Sequence, residues 1–542
     1  MAQAIMFQGT SSNVGKSVLA AALCRILYQD GYRVVPFKSQ NMALNSYVTK
    51  DGGEMGRAQV VQAEAAGIEP SVEMNPILLK PTGQASSQVV LLGKPIGTYS
   101  ARDYHLTYAP QALATIAECL EKLHTDYDMI VIEGAGSPAE VNLKARDIAN
   151  MRVAKMAKAP VLLVADIDRG GALASVVGTL ALLDPDEQAL IRGIVINKFR
   201  GDRSLLQPAL DFLEEKTGIP VVGVIPYFRG IALQEEDSVV LEKAETKVGS
   251  GEVLDIAVIR LPRISNFTDF DALSLEGTAH VRFVEHPEQL GQPDMVILPG
   301  TKNTIADMRW LEGTGLATAV RDFASRGKLV WGICGGYQML GQRIDDPQGV
   351  EGDVTTTAGL GLLPMITTME AEKITERAES ILEGHGPFLG PLAGMRVTGY
   401  EIHMGRSEAT TDVRAFGRIV RRGETSCDAF EGMVEKDGLV IGTYLHGIFD
   451  NSELRRGLFN ELRRKRGWAP LAGAMESALE RRQQDYDRLA DVVRQNIDME
   501  RIYRWMREGV NVNGQGEQAD QQGVEGQEVV REQGAVTDGR HA

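Results

Sequence analysis

The stretch Lys328-Leu-Val-Trp-Gly-Ile-Cys-Gly-Gly-Tyr-Gln-Met-Leu-Gly341 decides how the second half of this 542-residue chain is read. An apolar run stops at a cysteine wrapped in glycines and resumes with a helical pattern, which reads as strand, sharp turn and helix. Within it, Gly332-x-Cys334-x-Gly336 has the spacing of a nucleophile elbow, in which small flanking residues let the backbone bend tightly enough to hold one side chain out into a cleft. Cys334 would then stand at a helix N-terminus, where the dipole favours thiolate over thiol. A cysteine merely buried behind a strand is the plainer reading, and the density of glycine around Cys334 is what favours a nucleophile. The backbone N–H of Gly335, just after the cysteine, would supply half of an oxyanion hole.

A cysteine nucleophile needs a base. The chain has eight histidines, and His446 differs from the rest because Gly438-Leu-Val-Ile-Gly-Thr-Tyr-Leu-His446 reads as a strand that ends on it. His403, in Gly399-Tyr-Glu-Ile-His403, is the rival. Upstream, Asp294-Met-Val-Ile-Leu298 reads as a strand leading into Pro299-Gly300-Thr301-Lys302-Asn303, a loop rich in free backbone N–H groups, so Gly300 is a candidate for the other half of the oxyanion hole.

The first half opens on Ala4-Ile-Met-Phe7, a short strand, followed by Gly9-Thr-Ser-Ser-Asn-Val-Gly-Lys-Ser17 and a helical run from Val18 to Tyr28. Strand, glycine loop ending in Gly-Lys-Ser, and helix form the context a phosphate-binding loop requires. Backbone N–H groups from Gly9 and Thr10 to Gly15 would cradle phosphates, Lys16 would neutralise the outer ones, and Ser17 would ligate Mg²⁺. The loop holds one more residue between its glycines than the standard motif. Asp128-Met-Ile-Val-Ile-Glu133 reads as a buried strand ending in a carboxylate, which suits a Mg²⁺ ligand beside that loop. Lys38 follows another strand at its carboxyl end, where a phosphate or a substrate carboxylate would lie, or where a lysine simply solvates. Glu54 and Arg57 share a helix face, so metal and substrate roles stand beside a plain surface ion pair. Asp147, in the charged segment Asn142-Leu-Lys-Ala-Arg-Asp147, joins Lys38 and Arg57 as a candidate substrate contact.

Alternating strands and helices in both halves predict two doubly wound, mostly parallel α/β sheets. The expected boundaries are 1–240 for a phosphoryl-transfer domain, 241–252 for a polar linker, and 253–506 for the domain of Cys334 with its C-terminal helices. Residues 507–542 carry three arginines against seven acids and no aromatic residue, which predicts a disordered tail. The net charge of −16 argues against non-specific binding to nucleic acid or anionic membranes. Four cysteines without paired spacing point to neither a disulfide framework nor a zinc site and fit a reducing cytosol. No apolar stretch approaches the roughly 20 residues that span a bilayer, so a cytoplasmic protein is expected.

The loop at Gly9, the Glu133-Gly-Ala-Gly turn and the strand end Asn197-Lys198 resemble dethiobiotin-synthetase-like ATP-dependent ligases. That resemblance implies that Asn197 reads the adenine and that the loop serine with acidic residues holds Mg²⁺. Gly332-Ile-Cys-Gly-Gly-Tyr-Gln338 with Tyr444-Leu-His446-Gly is similar to class I (triad) glutamine amidotransferases, in which the cysteine attacks the glutamine amide and releases ammonia. Together, from about residue 3 to 500, the chain resembles the cobyric acid synthase family. Phe37-Lys-Ser-Gln-Asn-Met42, Asp166-Ile-Asp-Arg-Gly-Gly171, Asn197-Lys-Phe-Arg-Gly201 and Gly399-Tyr-Glu-Ile-His403 carry the match further. The resemblance implies ATP and Mg²⁺ as cofactors, and glutamine and a corrinoid as substrates. It also implies phosphorylation of corrin carboxylates followed by amidation at the b, d, e and g positions. A second copy of the chain is a further expected partner; nucleic acid and membrane are not. Cobyrinic acid a,c-diamide synthase shares both chemistries, and CTP synthase has similar length and order. A partition-type ATPase with a degenerate amidotransferase module is the non-enzymatic rival. In the wider amidotransferase class a glutamate lies two residues after the histidine; here Ile448 stands there, and Glu401 or Asp450 are left as candidates to orient the base.

Overall fold

The apolar runs of the first half become the strands of one parallel sheet, in the order Val221–Pro226, Ile191–Phe199, Val161–Asp166, Gln3–Gly9, Met129–Glu133 and Val34–Phe37. The central strands are buried along most of their length, as expected where helices cover both faces. Gln3–Gly9 sits at the middle and delivers the glycine loop to the carboxyl edge, and the helix Lys16–Gln29 starts directly from that loop. A smaller sheet of Gln40–Met42, Ile77–Pro81, Ser86–Leu91 and Lys94–Ser100 flanks it. The computed structural model describes residues 2–82, 86–104, 108–228, 230–231, 233–234, 251–275, 277–473 and 475–510.

The second half repeats the architecture. Its strands run Ala279–Val284, Leu254–Ile259, Met295–Leu298, Leu329–Ile333 and Val440–Thr443 in parallel, with Met433–Val434 antiparallel at the edge. To this is added a mostly antiparallel sheet that the sequence reading does not anticipate, built on the long strands Met365–Leu382 and Arg396–Ala409. The two-residue strand Leu445–His446 belongs to it, with Tyr400 opposite His446. His446 therefore lies three residues beyond the parallel strand Val440–Thr443 and is held by the second sheet.

The pattern from Met475 to Met506, with Leu489, Val493 and Ile497 at four-residue spacing, predicts one helix with a buried stripe. The structure has two helices there, Ala478–Arg494 and Met499–Glu508, and both return to the first half. Leu489, Val493 and Ile497 do form a buried stripe, but their partners are Leu19, Leu23 and Ile26 of the helix behind the glycine loop. Ile497 also bridges Gly223 of the first sheet, and Arg25 pairs with Asp487. The last described helices thus pack against the first half, and the amidotransferase-like half stops near Arg466, the end of the helix Ser452–Arg466. Of the expected linker 241–252, only Gly251 and Glu252 lie among the described residues. Of the expected tail, Arg507 and Glu508 complete a helix, and residues from 511 on lie outside the described residues.

Candidate active sites

At the carboxyl edge of the first sheet, Ser17 Oγ donates to Glu133 Oε1 at 2.7 Å. Lys38 Nζ donates to the same oxygen at 2.9 Å, and Gln62 Nε2 donates to Oε2 at 2.6 Å. Burial alone would raise the Glu133 carboxyl, but the Lys38 charge and these hydrogen bonds outweigh it and leave the group below the usual carboxylate range. Lys16 Nζ arches over the loop to the carbonyls of Ser11 and Gly136, at 3.1 and 2.9 Å. Gly15 adopts φ 101°, and a Cβ there would lie 2.2 Å from Asn197 Nδ2, so both its conformation and its space demand glycine. Thr10 N–H donates to Val164 O and ties the loop back to the sheet beyond Gly9.

Asn197 is brought to this loop with its side chain already engaged. Its Nδ2 donates to Val14 O at 2.8 Å and its Oδ1 accepts from Lys198 N–H, so in this conformation it clamps the loop rather than facing an open base pocket. Glu54 is not in the cluster. Its oxygens are taken by Lys80, at 2.5 Å, by Ser46 and by Lys373 of the second half, all buried. In this conformation the Glu54 carboxylate bridges the two halves through two ammonium groups and stands apart from the Ser17–Glu133 pair. Arg57 pairs neither with Glu54 nor with an exposed face; it is buried and donates to Tyr400 of the other half. Asp147 accepts from the backbone N–H groups of Ala149, Asn150 and Arg152 and fixes a turn. Lys38 is not a solvating lysine, since it is buried on Glu133.

In the second half the elbow is present as read. Cys334 holds φ 52°, ψ −111° between the strand Leu329–Ile333 and the helix Gly335–Leu340, a strained conformation for a non-glycine residue. A Cβ on Gly336 would lie 2.0 Å from Leu298 O, which explains why no side chain follows the turn. The loop after Met295–Leu298 closes over it: Gly335 lies against Thr301, and Gly300 against the His446 ring. Gly300 and Gly335 are thereby brought to one place, around the cysteine and the histidine.

His446 Nδ1 donates to Asp269 Oδ2 at 2.7 Å, and Gly447 N–H donates to Asp269 Oδ1 at 3.0 Å. This leaves Nε2 for Cys334, which lies within hydrogen-bonding reach of the ring. Burial would lower the imidazole, but the Asp269 charge and hydrogen bond, helped by Cys334, push it up to about 10. Asp269, which the sequence alone does not single out, is the acid that holds the His446 ring. Glu401 is forked by Arg422 Nε and Nη2, and Asp450 accepts from Arg482, so neither open candidate reaches the base. His403 stacks on Tyr444 at 3.7 Å and caps Gly405 O. Burial pushes the thiol of Cys119 up to about 12 and that of Cys24 higher still, so those cysteines are inert core groups.

A cysteine, a histidine and an aspartate gathered at one sheet edge, in a chain whose other half carries a glycine loop ending in Lys16-Ser17, narrow the comparison with known proteins. Residues 5–239 match the family model described as the CobQ/CobB/MinD/ParA nucleotide binding domain, and residues 255–454 match the CobB/CobQ-like glutamine amidotransferase domain. The cobyric acid synthase of Pelotomaculum thermopropionicum is 59% identical over 512 residues, covering 93% of this chain and 96% of that protein. The chain belongs to the cobyric acid synthase family. Cobyric acid synthases of Moorella thermoacetica and Dehalococcoides mccartyi are 57% and 54% identical over 93% and 94% of this chain, covering 97% and 100% of those proteins. As in that family, the chain is a glutamine-dependent amidotransferase with an ATP-binding domain. Among the described residues no helix is long and apolar enough to cross a membrane.

Within the cobyric acid synthase family reading, Asp269 had one weak signal in the sequence. Ser265-Asn-Phe-Thr-Asp269-Phe places an acid in the connection that follows the first strand of the second half, Leu254–Ile259. That edge position is where ligands and catalytic groups collect, but nothing local ties it to a histidine 177 residues away.

Proposed function

We propose that the chain catalyses the ATP- and glutamine-dependent amidation of the b, d, e and g carboxylates of adenosylcobyrinic acid a,c-diamide in cobalamin biosynthesis. The observation that carries this reading is the coexistence of a Cys334–His446–Asp269 centre and a phosphate loop with Ser17 on Glu133 in one chain that aligns almost end to end with proteins named cobyric acid synthase.

His446, oriented by Asp269 at Nδ1, is the base that takes the proton of the Cys334 thiol. The sulfur attacks the glutamine side-chain carbonyl, and the C–N bond breaks as His446 gives its proton to the departing ammonia. Water then cleaves the γ-glutamyl thioester to glutamate and free thiol. Backbone N–H groups of the Gly300 loop and of Gly335 stabilise the oxyanion on the way.

In the other half, the loop N–H groups from Gly9 to Gly15 cradle phosphates and Lys16 neutralises their outer charge. Ser17 and Glu133 offer two hard oxygens 2.7 Å apart, the donor chemistry that Mg²⁺ prefers. Lys38 keeps Glu133 ionised and so able to bind a cation. MgATP, when bound, supplies the phosphoryl group that converts a corrin carboxylate into an acyl phosphate with a competent leaving group. Ammonia adds to the acyl carbon, phosphate leaves, and the amide remains. The cytoplasm, where ATP and glutamine are supplied, is the compartment this reading requires.

Mass spectrometry of the corrinoid after incubation with glutamine and MgATP tests it. A ladder of products ending in the fully amidated species is expected. Amidation confined to cobyrinic acid at its a and c positions would replace the reading with diamide synthesis.

A further inference from the structure

The glutaminase base is enclosed by residues from both halves. The Tyr400 ring stacks on His446 with centroids 5.5 Å apart and planes 20° apart. Its hydroxyl accepts a 2.7 Å hydrogen bond from Arg57 Nη2, and Arg57 opens the helix Arg57–Ala65 of the ATP-binding half. Arg57 is itself set over the Tyr47 ring at 4.9 Å, and its backbone N–H donates to Asn45 O.

Asn45 leads to the other side of the same base. Its Oδ1 accepts from Phe267 N–H at 3.1 Å, while Asn266 Oδ1 accepts from Ser46 N–H at 2.9 Å. This reciprocal pair of buried amides grips Asn266, which holds the left-handed φ 54°, at the head of the 3₁₀ helix Phe267–Ser274 that carries Asp269. One segment of the ATP-binding half, from Asn45 to Arg57, therefore touches both supports of His446: the acid's turn and the stacked tyrosine.

Adhesion between the halves does not explain this arrangement. Arg57 Nε finds no hydrogen-bond partner among the described residues although it is buried, a cost that a purely adhesive contact would avoid with an apolar side chain. The helix that begins at Arg57 also carries Gln62, which holds Glu133 at the phosphate site. The element that seats the base thus reaches the acid of the other centre.

We propose that the ATP-binding half completes the glutaminase centre: Arg57, through Tyr400, and Asn45, through the Asn266–Asp269 turn, are positioning residues that hold His446 against Cys334. The inference rests on the reading of Cys334 as a glutaminase nucleophile, and glutamine hydrolysis by the wild-type chain tests that reading separately. Failure of the wild type to hydrolyse glutamine would sink the reading; active wild type with unaffected variants would sink only the inference.

The experiment measures glutamine hydrolysis, alkylation of Cys334 by iodoacetamide and ammonia-driven amidation in full-length Arg57→Gln, Arg57→Lys and Tyr400→Phe. Tyr400→Phe and Arg57→Gln are expected to lower kcat for glutamine by about fivefold or more, the lower range of coupling between linked sites, with KM nearly unchanged. Alkylation of Cys334 should slow in parallel, ammonia-driven amidation should stay within about twofold of wild type, and Arg57→Lys, which keeps a donor, should recover part of the loss. If Arg57→Gln does not fold, Tyr400→Phe decides alone, because it removes one oxygen and keeps the ring. Unchanged kcat and alkylation in Tyr400→Phe overturn the proposal, and so does equal loss of ammonia-driven activity, which would assign the hydroxyl to the fold at large.

Discussion

Each half of the molecule buries a carboxylate beside a cation, and the two pairs are set for opposite purposes. At the phosphate site Lys38, Ser17 and Gln62 converge on Glu133 and hold it ionised. At the glutaminase site Asp269 acts on its partner instead, and His446 is the group that moves, up to about 10. Three donors, one of them an ammonium, hold Glu133 as the charged carboxylate. Asp269, which also accepts from Gly447 N–H, stabilises a proton on the His446 ring. The surroundings decide which member of a buried pair is the functional one.

Four substitutions would break or sharpen that contrast. The largest effect is expected for Cys334→Ser, which should lower glutamine-dependent amidation by about a thousandfold or more while amidation from ammonia persists; steady-state assays with both nitrogen donors check it, and loss of both activities would refute independent centres. Lys16→Ala should cost about 100-fold or more with either donor, since the phosphate charge it neutralises is common to both routes; retained activity would remove the phosphate-loop assignment.

Asp269→Asn comes next, with glutamine hydrolysis falling by about 100-fold because the tautomer and orientation of His446 are lost. It also has a signature in stability. The folded imidazole sits at about 10 against an ordinary 6.5, so its pairing contributes stability that is complete below about pH 6.5 and disappears as pH rises through about 10. Thermal melts of wild type and Asp269→Asn should therefore differ most near pH 6 and converge towards pH 10; a constant gap would contradict the ion pair. Lys38→Ala is read in stability rather than in rate. It leaves Glu133 buried with two neutral donors and is expected to destabilise the fold by about 3 kcal/mol in urea titrations at neutral pH. Because the Glu133 carboxyl is depressed in the wild type, its contribution is present above the ordinary carboxylate range and lost as pH falls through its folded value, so the two proteins should converge in acid.

How much of this was legible in the sequence follows the distance over which each feature is built. The phosphate loop and the Cys334 elbow are strand–turn–helix units whose glycines answer to contacts a few residues away or to the next strand, so their spacing reveals them. His446 was readable from its place at the end of an apolar strand, although the second sheet, absent from the reading, is what holds it. Glu54 was readable only through its spacing to Arg57, which suits an ion pair as well as metal and substrate roles. Only the approach of Lys80 and of Lys373, 319 residues away, shows that it is neutralised by cations. The buried stripe Leu489, Val493 and Ile497 was visible as periodicity, yet periodicity identifies a buried face without naming what buries it.

The amino-acid sequence by itself determined the two α/β halves, the glycine-wrapped turn at Cys334 and the glycine loop ending in Lys16-Ser17, because strand pattern, turn geometry and helix start are local consequences of side-chain size and polarity. The tertiary structure alone decided that Asp269 meets His446, that Arg57 and Asn45 of the first half meet Tyr400 and Phe267 of the second, and that the last described helices pack on the first half. Those pairings join residues 177 to 343 positions apart in His446–Asp269 and Arg57–Tyr400. Such contacts exist only once the packing of whole sheets has brought their polar atoms together where water cannot compete.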